Sequence, residues 1–83
     1  MDGRVIMRKT IDDFERAAEV AYAGMYDAKP HGVKDCYDDA MLCFAHAIEA
    51  ARLAGLMDEV DRLKSRAEHI RNVYDGQFRG VGR

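Results

Sequence analysis

The stretch that decides the fold is residues 35–55, DCYDDAMLCFAHAIEAARLAG. It contains no proline, and its only glycine is the last residue, so it is predicted to form one helix that ends at Gly55. On a helical wheel its apolar residues cover about half of the circumference, which is wider than a standard amphipathic face. This helix is therefore predicted to pack against more than one neighbour. The broad apolar arc consists of Cys36, Ala40, Cys43, Phe44, Ala47, Ile48, Ala51 and Ala54, with Tyr37 and Met41 at its margin.

Two further helices flank this one. Thr10 and Asp13 resemble a capping box, and apolar residues then recur at spacings of three and four, which predicts a helix near residues 10–28. The sequence KPHG at residues 29–32 interrupts the pattern, and such a short loop favours an antiparallel helix pair. After Gly55, a narrow four-three apolar repeat predicts a third helix near 58–75.

These patterns predict an all-α fold, an antiparallel three-helix bundle over residues 10–75 with its middle helix near 34–54. Residues 1–9 are predicted to form a flexible arm because no capping signal precedes Thr10. Residues 76–83, GQFRGVGR, are predicted to form a flexible basic tail because they are rich in glycine.

The middle helix also resembles a known family. Tyr37, Ala40, Phe44 and Ala47 reproduce the Y-x2-A-x3-F-x2-A pattern of the second helix of a tetratricopeptide repeat. The chain is similar in design and length to the microtubule-interacting and transport domain, a three-helix bundle. The resemblance implies a tetratricopeptide-like helical hairpin plus a third helix, acting as a scaffold that binds peptides or helices. It implies no catalysis.

Composition limits the class of protein. The 83 residues carry a formal net charge of −2, so no overall positive field attracts nucleic acid or an anionic membrane. No segment is long and apolar enough to span a membrane, and the N-terminus lacks the pattern of a signal peptide, so a cytoplasmic location is expected. Cys36 and Cys43 are seven residues apart on one helix, about 10.5 Å along its axis, which is too far for a disulfide between them.

The sequence carries no signature of catalysis or of cofactor binding. It has no phosphate-binding glycine loop and no HExxH zinc motif, and His31 and His69 have no neighbouring nucleophile. Asp39, Cys43 and His46 lie on one side of the middle helix and could supply three ligands to zinc, but a structural site needs four. We therefore expect no enzymatic activity, no cofactor and no metal.

Leu42, His46 and Leu53 form a second strip, on an otherwise polar flank of the middle helix. One interpretation is ordinary scattered surface leucines. The other is a contact with a partner, and these three residues are the predicted partner-binding residues. The expected function is non-catalytic protein–protein interaction, either as a homodimer or as an adaptor for a helical peptide, with the contact between the first and third helices or along this flank. The alternative is a small regulatory nucleic-acid-binding protein that uses the basic termini, residues 4–9 and 79–83.

Overall fold

The structure, a computed structural model, describes the backbone of residues 3–78 and the side chains of residues 8–78. Within these residues it is entirely helical apart from its short connections, and the prediction of an all-α helical bundle is confirmed. The elements in chain order are α1 (Gly3–Asp27), a 3₁₀ turn (Pro30–Gly32), α2 (Val33–Leu53), α3 (Met57–Val73) and a π-helical turn (Tyr74–Phe78).

Of the three helices, α1 differs most from its predicted bounds. This helix begins at Gly3 and continues through Thr10, so the capping pattern at Thr10 does not begin it. The residues before Thr10 include arginine, lysine and methionine, which favour helix, and no proline interrupts them. The flexibility predicted for residues 1–9 stays a prediction. Of the predicted tail, residues 76–78 belong to the π-helical turn, and residues 79–83 lie outside the described part.

The two connections are short because local backbone chemistry ends each helix. Lys29, which precedes Pro30, is extended at φ −64° and ψ 156°, as a residue before proline prefers. Gly55 has a φ of 73°, in the left-handed region. Its N–H donates to the carbonyl oxygen of Arg52 at 3.0 Å, and the N–H of Leu56 donates to the carbonyl oxygen of Ala51 at 2.9 Å. This pair of bonds is a Schellman motif, and it turns the chain back into α3.

The hydrophobic core is built around α2, as its broad apolar arc predicted. Phe44 is fully buried and is the largest of the buried side chains. The alanines of α2 let the neighbouring helices approach closely. Near the end of α1, a Cβ atom added to Gly24 would lie 3.5 Å from the Sγ of Cys36. The core cluster comprises Ile11 and Ala18 from α1, Phe44, Ala47, Ala50 and Ala51 from α2, and Val60, Leu63, Ala67 and Ile70 from α3.

Helices α1 and α3 run in the same direction, and arginine side chains join them. Arg62 makes two hydrogen bonds to the carboxylate of Glu15, at 2.6 and 2.8 Å. One turn further along, Arg66 makes a similar pair with Glu19, at 2.8 and 2.9 Å. Such two-point contacts fix the register of α1 against α3.

One end of the bundle is rich in aromatic side chains. The rings of Tyr37 and Tyr74 stack with their centroids 4.0 Å apart, which joins the start of α2 to the end of α3. On the neighbouring side, the edge of Tyr26 meets Tyr22 and Phe78, with centroids 5.7 and 5.1 Å away. The π-helical turn is thereby packed against the end of α1.

Candidate protein-interaction face

The strip predicted as a partner contact lies on the outer side of α2, away from the core. Leu42 is 56% exposed and Leu53 is 68% exposed, and His46 between them is also exposed. On the opposite side of the same helix, Phe44 and Ala51 are fully buried. Helical geometry places Leu42 and Leu53 about 16.5 Å apart along the axis and about 20° apart around it.

His46 is anchored to α1. Its ring stacks on that of Phe14, with centroids 5.1 Å apart and an angle of 29° between the ring planes. Phe14 is itself partly buried and packs against the core. The sequence placed His46 on the flank of α2 but did not indicate this contact, because nothing in the pattern of α1 shows which residue lies opposite position 46. The stack restricts the orientation of the imidazole.

A fourth residue belongs to this face, and the sequence interpretation missed it. Glu49 lies between His46 and Leu53 at the spacing that continues the same line of the helix. Both oxygens of its carboxylate accept hydrogen bonds from Arg52, one from Nε at 3.1 Å and one from Nη2 at 2.5 Å, and this arginine lowers the pKa of the Glu49 carboxyl below its ordinary value. Its side chain remains 53% exposed. We call Leu42, His46, Glu49 and Leu53 the outer seam.

A free cysteine, Cys43, lies next to the outer seam on α2. It is half-buried, and this burial, helped by the charge of Asp39, raises the pKa of its thiol. A thiol with a raised pKa is a weak nucleophile at neutral pH and a poor metal ligand. Among the described residues, no group of three or more histidine, cysteine, aspartate or glutamate side chains is placed to hold a metal ion.

Two of the arginines of α3, Arg62 and Arg66, are engaged within the bundle. Arg62 contacts Glu59 at 2.6 Å in addition to Glu15, and these bonds raise the pKa of its guanidinium further. Arg66 is held by Glu19 and also lies 5.3 Å from the centre of the Tyr22 ring. Carboxylates thus occupy the donors of these two arginines that a phosphate would otherwise use.

A shallow cleft of about 410 Å³ lies at the other end of the bundle, around the turn between α2 and α3. Arg8 on one side and Asp58 and Glu59 on the other line it, and the Arg8 guanidinium lies 3.7 Å from the Glu59 carboxylate. The lining carries one guanidinium against two carboxylates, and Arg8 and Glu59 are already paired with each other. The outer seam is therefore the stronger candidate.

Comparison with known proteins gives no relative from which a function could be transferred. No protein-family model, curated protein or solved structure matches the chain. In the part of the chain that the structure describes, no helix combines the length and the apolar character needed to cross a membrane.

Proposed function

We propose that the chain is a non-catalytic helical interaction module that binds a helix through the outer face of α2, in a homodimer or as an adaptor. The observation that carries this proposal is the pair of leucines, 56% and 68% exposed, on the side of α2 opposite its fully buried core residues. Because both side chains are already partly buried, covering the rest of each against a partner would contribute about 1–2 kcal/mol.

The surroundings of these leucines favour a specific contact over scattered surface residues. Leu42 and Leu53 are aligned on one helix, and the His46 side chain between them is held against Phe14. A partly ordered side chain loses less conformational entropy when a partner docks on it. The tetratricopeptide-like pattern in α2 supports the same class of function, since repeats of that kind present helices to other helices or peptides. Two half-buried free cysteines are compatible with the reducing cytoplasm that we propose as its location.

The test compares association of the wild type with that of Leu42→Asp/Leu53→Asp. We expect the wild type to self-associate in light scattering, or to select amphipathic helical peptides from a displayed library, and the double variant to do neither. Val20→Asp is the matched control, because Val20 is 66% exposed on α1 and outside the outer seam. Circular dichroism verifies that all three proteins are folded.

The proposal fails if the folded wild type neither self-associates nor selects a peptide. It also fails if Leu42→Asp/Leu53→Asp associates as strongly as Val20→Asp, because the contact then lies elsewhere on the surface.

A further inference from the structure

The order of the four residues in the outer seam has an internal symmetry. Leu42 and Leu53 are its ends, and His46 and Glu49 lie inside them. Both pairs have the same midpoint, between positions 47 and 48 of α2. All four positions fall within about 60° of the helix circumference, so the seam is narrow and nearly straight.

This symmetry is what a helix needs to pair with a second copy of itself. In a two-fold symmetric, antiparallel pair, each residue faces the one at the same distance on the other side of the midpoint. With the axis at the midpoint of the outer seam, Leu42 is level with Leu53 of the second copy. His46 is then level with Glu49 of the second copy. Leucine meets leucine at both ends, and an imidazole meets a carboxylate at the centre.

We propose that the occupant of the outer seam is a second copy of this chain, with the two α2 helices antiparallel and His46 of each copy facing Glu49 of the other. This inference rests on the proposed function and specifies its partner and register. The complementarity of imidazole and carboxylate at the centre selects a second copy, because it is satisfied twice by symmetry, whereas an unrelated helix would have to supply both groups independently.

The structure leaves both central groups able to make this contact. The face of the His46 ring is engaged by Phe14, while its two nitrogens lie in the ring plane and are not used by that stack. Both oxygens of the Glu49 carboxylate accept from Arg52, but its side chain is 53% exposed and each oxygen has a second acceptor position. A pair of imidazole–carboxylate contacts within a seam of about three helical turns gives the dimer its register, and the two leucine contacts supply its hydrophobic part.

The dimer is expected to be weak, since a contact of about 16.5 Å along one helix is small compared with a standard protein interface. Association is therefore to be measured over a concentration series extending to about 1 mM. The wild type is expected to change from monomer to dimer within this series.

An exchange of charges tests the register. In His46→Glu alone, four carboxylates meet at the centre of the dimer, and in Glu49→Arg alone, four basic groups meet there. We expect each variant by itself to dimerise at least about tenfold more weakly than the wild type, because each unfavourable contact occurs twice. In an equimolar mixture, each chain restores the partner that the other has lost. The mixture is expected to form heterodimers with an affinity within about threefold of that of the wild type.

A second measurement does not depend on the charges. In a chain in which Cys36 and Cys43 are replaced by alanine, Leu42→Cys and Leu53→Cys are prepared as separate proteins. The proposed register places the new thiol at position 42 of one chain level with the new thiol at position 53 of the other, whereas two copies of position 42 are about 16.5 Å apart along the axis. A short bismaleimide should therefore link the mixed pair much faster than it links either protein to itself.

The outcomes separate this inference from the proposed function. A wild type that stays monomeric at the highest concentration overturns self-pairing, while binding of a helical peptide would still satisfy the proposed function. A wild type that dimerises, but whose charge-exchanged mixture does not recover and whose mixed cysteine pair links no faster, overturns the register alone. Recovery of the mixture together with faster linking of the mixed pair supports the inference.

Discussion

The ring of His46 on α2 stacks on the ring of Phe14 on α1, with their centroids 5.1 Å apart. The contact joins the outer side of α2 to the edge of the core, since Phe14 packs against buried residues. An exposed histidine thus takes part in holding the two helices together. Any change at position 46 consequently acts on stability as well as on binding, and the two effects need separate measurements.

We predict that His46→Ala lowers the free energy of unfolding by about 0.5–1.5 kcal/mol, because it removes the aromatic stack. His46→Phe keeps a ring and should lose less. The measurement is chemical denaturation followed by circular dichroism. His69→Ala, at an exposed position on α3, is the control. Equal effects of His46→Ala and His69→Ala would contradict a stabilising role of the stack.

The bond between Glu15 and Arg62 makes stability depend on pH at the acidic end. Its hydrogen bonds lower the pKa of the Glu15 carboxyl below its ordinary value of 4.5. A carboxyl whose pKa is lowered by folding stabilises the fold at pH values above its pKa in the unfolded chain. This contribution is lost as the pH falls through its pKa in the folded protein. Because Arg62 is 48% exposed, solvent screens the pair, and we expect a contribution of about 0.5–1 kcal/mol.

Glu15→Gln tests this directly. The variant should be less stable than the wild type at pH 7, and the difference should shrink as the pH falls through the pKa of Glu15 in the folded protein. Urea denaturation at several pH values gives the comparison, with Glu68→Gln at an exposed position as the control. If Glu15→Gln loses as much stability between pH 7 and pH 3 as the wild type does, this account of the acid dependence is wrong.

Phe44 is the side chain on which the core depends most. It is fully buried on the helix that contacts both others, and Phe44→Ala should cost about 3–5 kcal/mol. A domain of this size has a total stability of the same order, so we expect the variant to be largely unfolded at 37 °C. Phe44→Leu retains most of the volume and should remain folded with a lower melting temperature. Cooperative melting of Phe44→Ala at nearly the wild-type temperature would contradict this.

Two glycines provide a matched test of backbone conformation. Gly55 has a φ of 73°, and no atom lies within 4 Å of a Cβ added to it, so any cost of Gly55→Ala comes from the backbone alone. We expect a loss of about 1–2 kcal/mol in the free energy of unfolding. Gly76 has the same open surroundings without a positive φ, and Gly76→Ala should be neutral or slightly stabilising. Thermal denaturation of the two variants side by side measures the difference, and equal melting temperatures would contradict it.

The sequence allowed the centre of the fold to be predicted better than its edges. The bounds of α2 and its buried arc follow from periodicity and from Gly55, and both agree with the structure. The predicted start of α1 near residue 10 was wrong, because a capping pattern at Thr10 can lie inside a helix when the preceding residues also favour helix. The π-helical turn over Tyr74–Phe78 was missed because Gly76 was taken as the end of the helix.

The contacts between helices could not be predicted from the sequence for a different reason. Glu15 and Arg62 are separated by 47 residues, so their pairing depends on how α1 and α3 are aligned, which no local pattern records. The same holds for Phe14 and His46. Positions on the wheel placed Leu42, His46 and Leu53 on one side of α2, and the structure adds which neighbours restrain that side and that Glu49 belongs to it.

The clustering of aromatic residues at one end has a consequence for spectroscopy. The chain contains no tryptophan and four tyrosines, Tyr22, Tyr26, Tyr37 and Tyr74, all at the end where α1 and α3 finish and α2 begins. Intrinsic tyrosine fluorescence therefore reports on that end of the bundle alone, and it does not report on structural changes around Gly55. A label at the opposite end, observed together with the tyrosines, would show whether the two ends of the bundle melt as one cooperative unit.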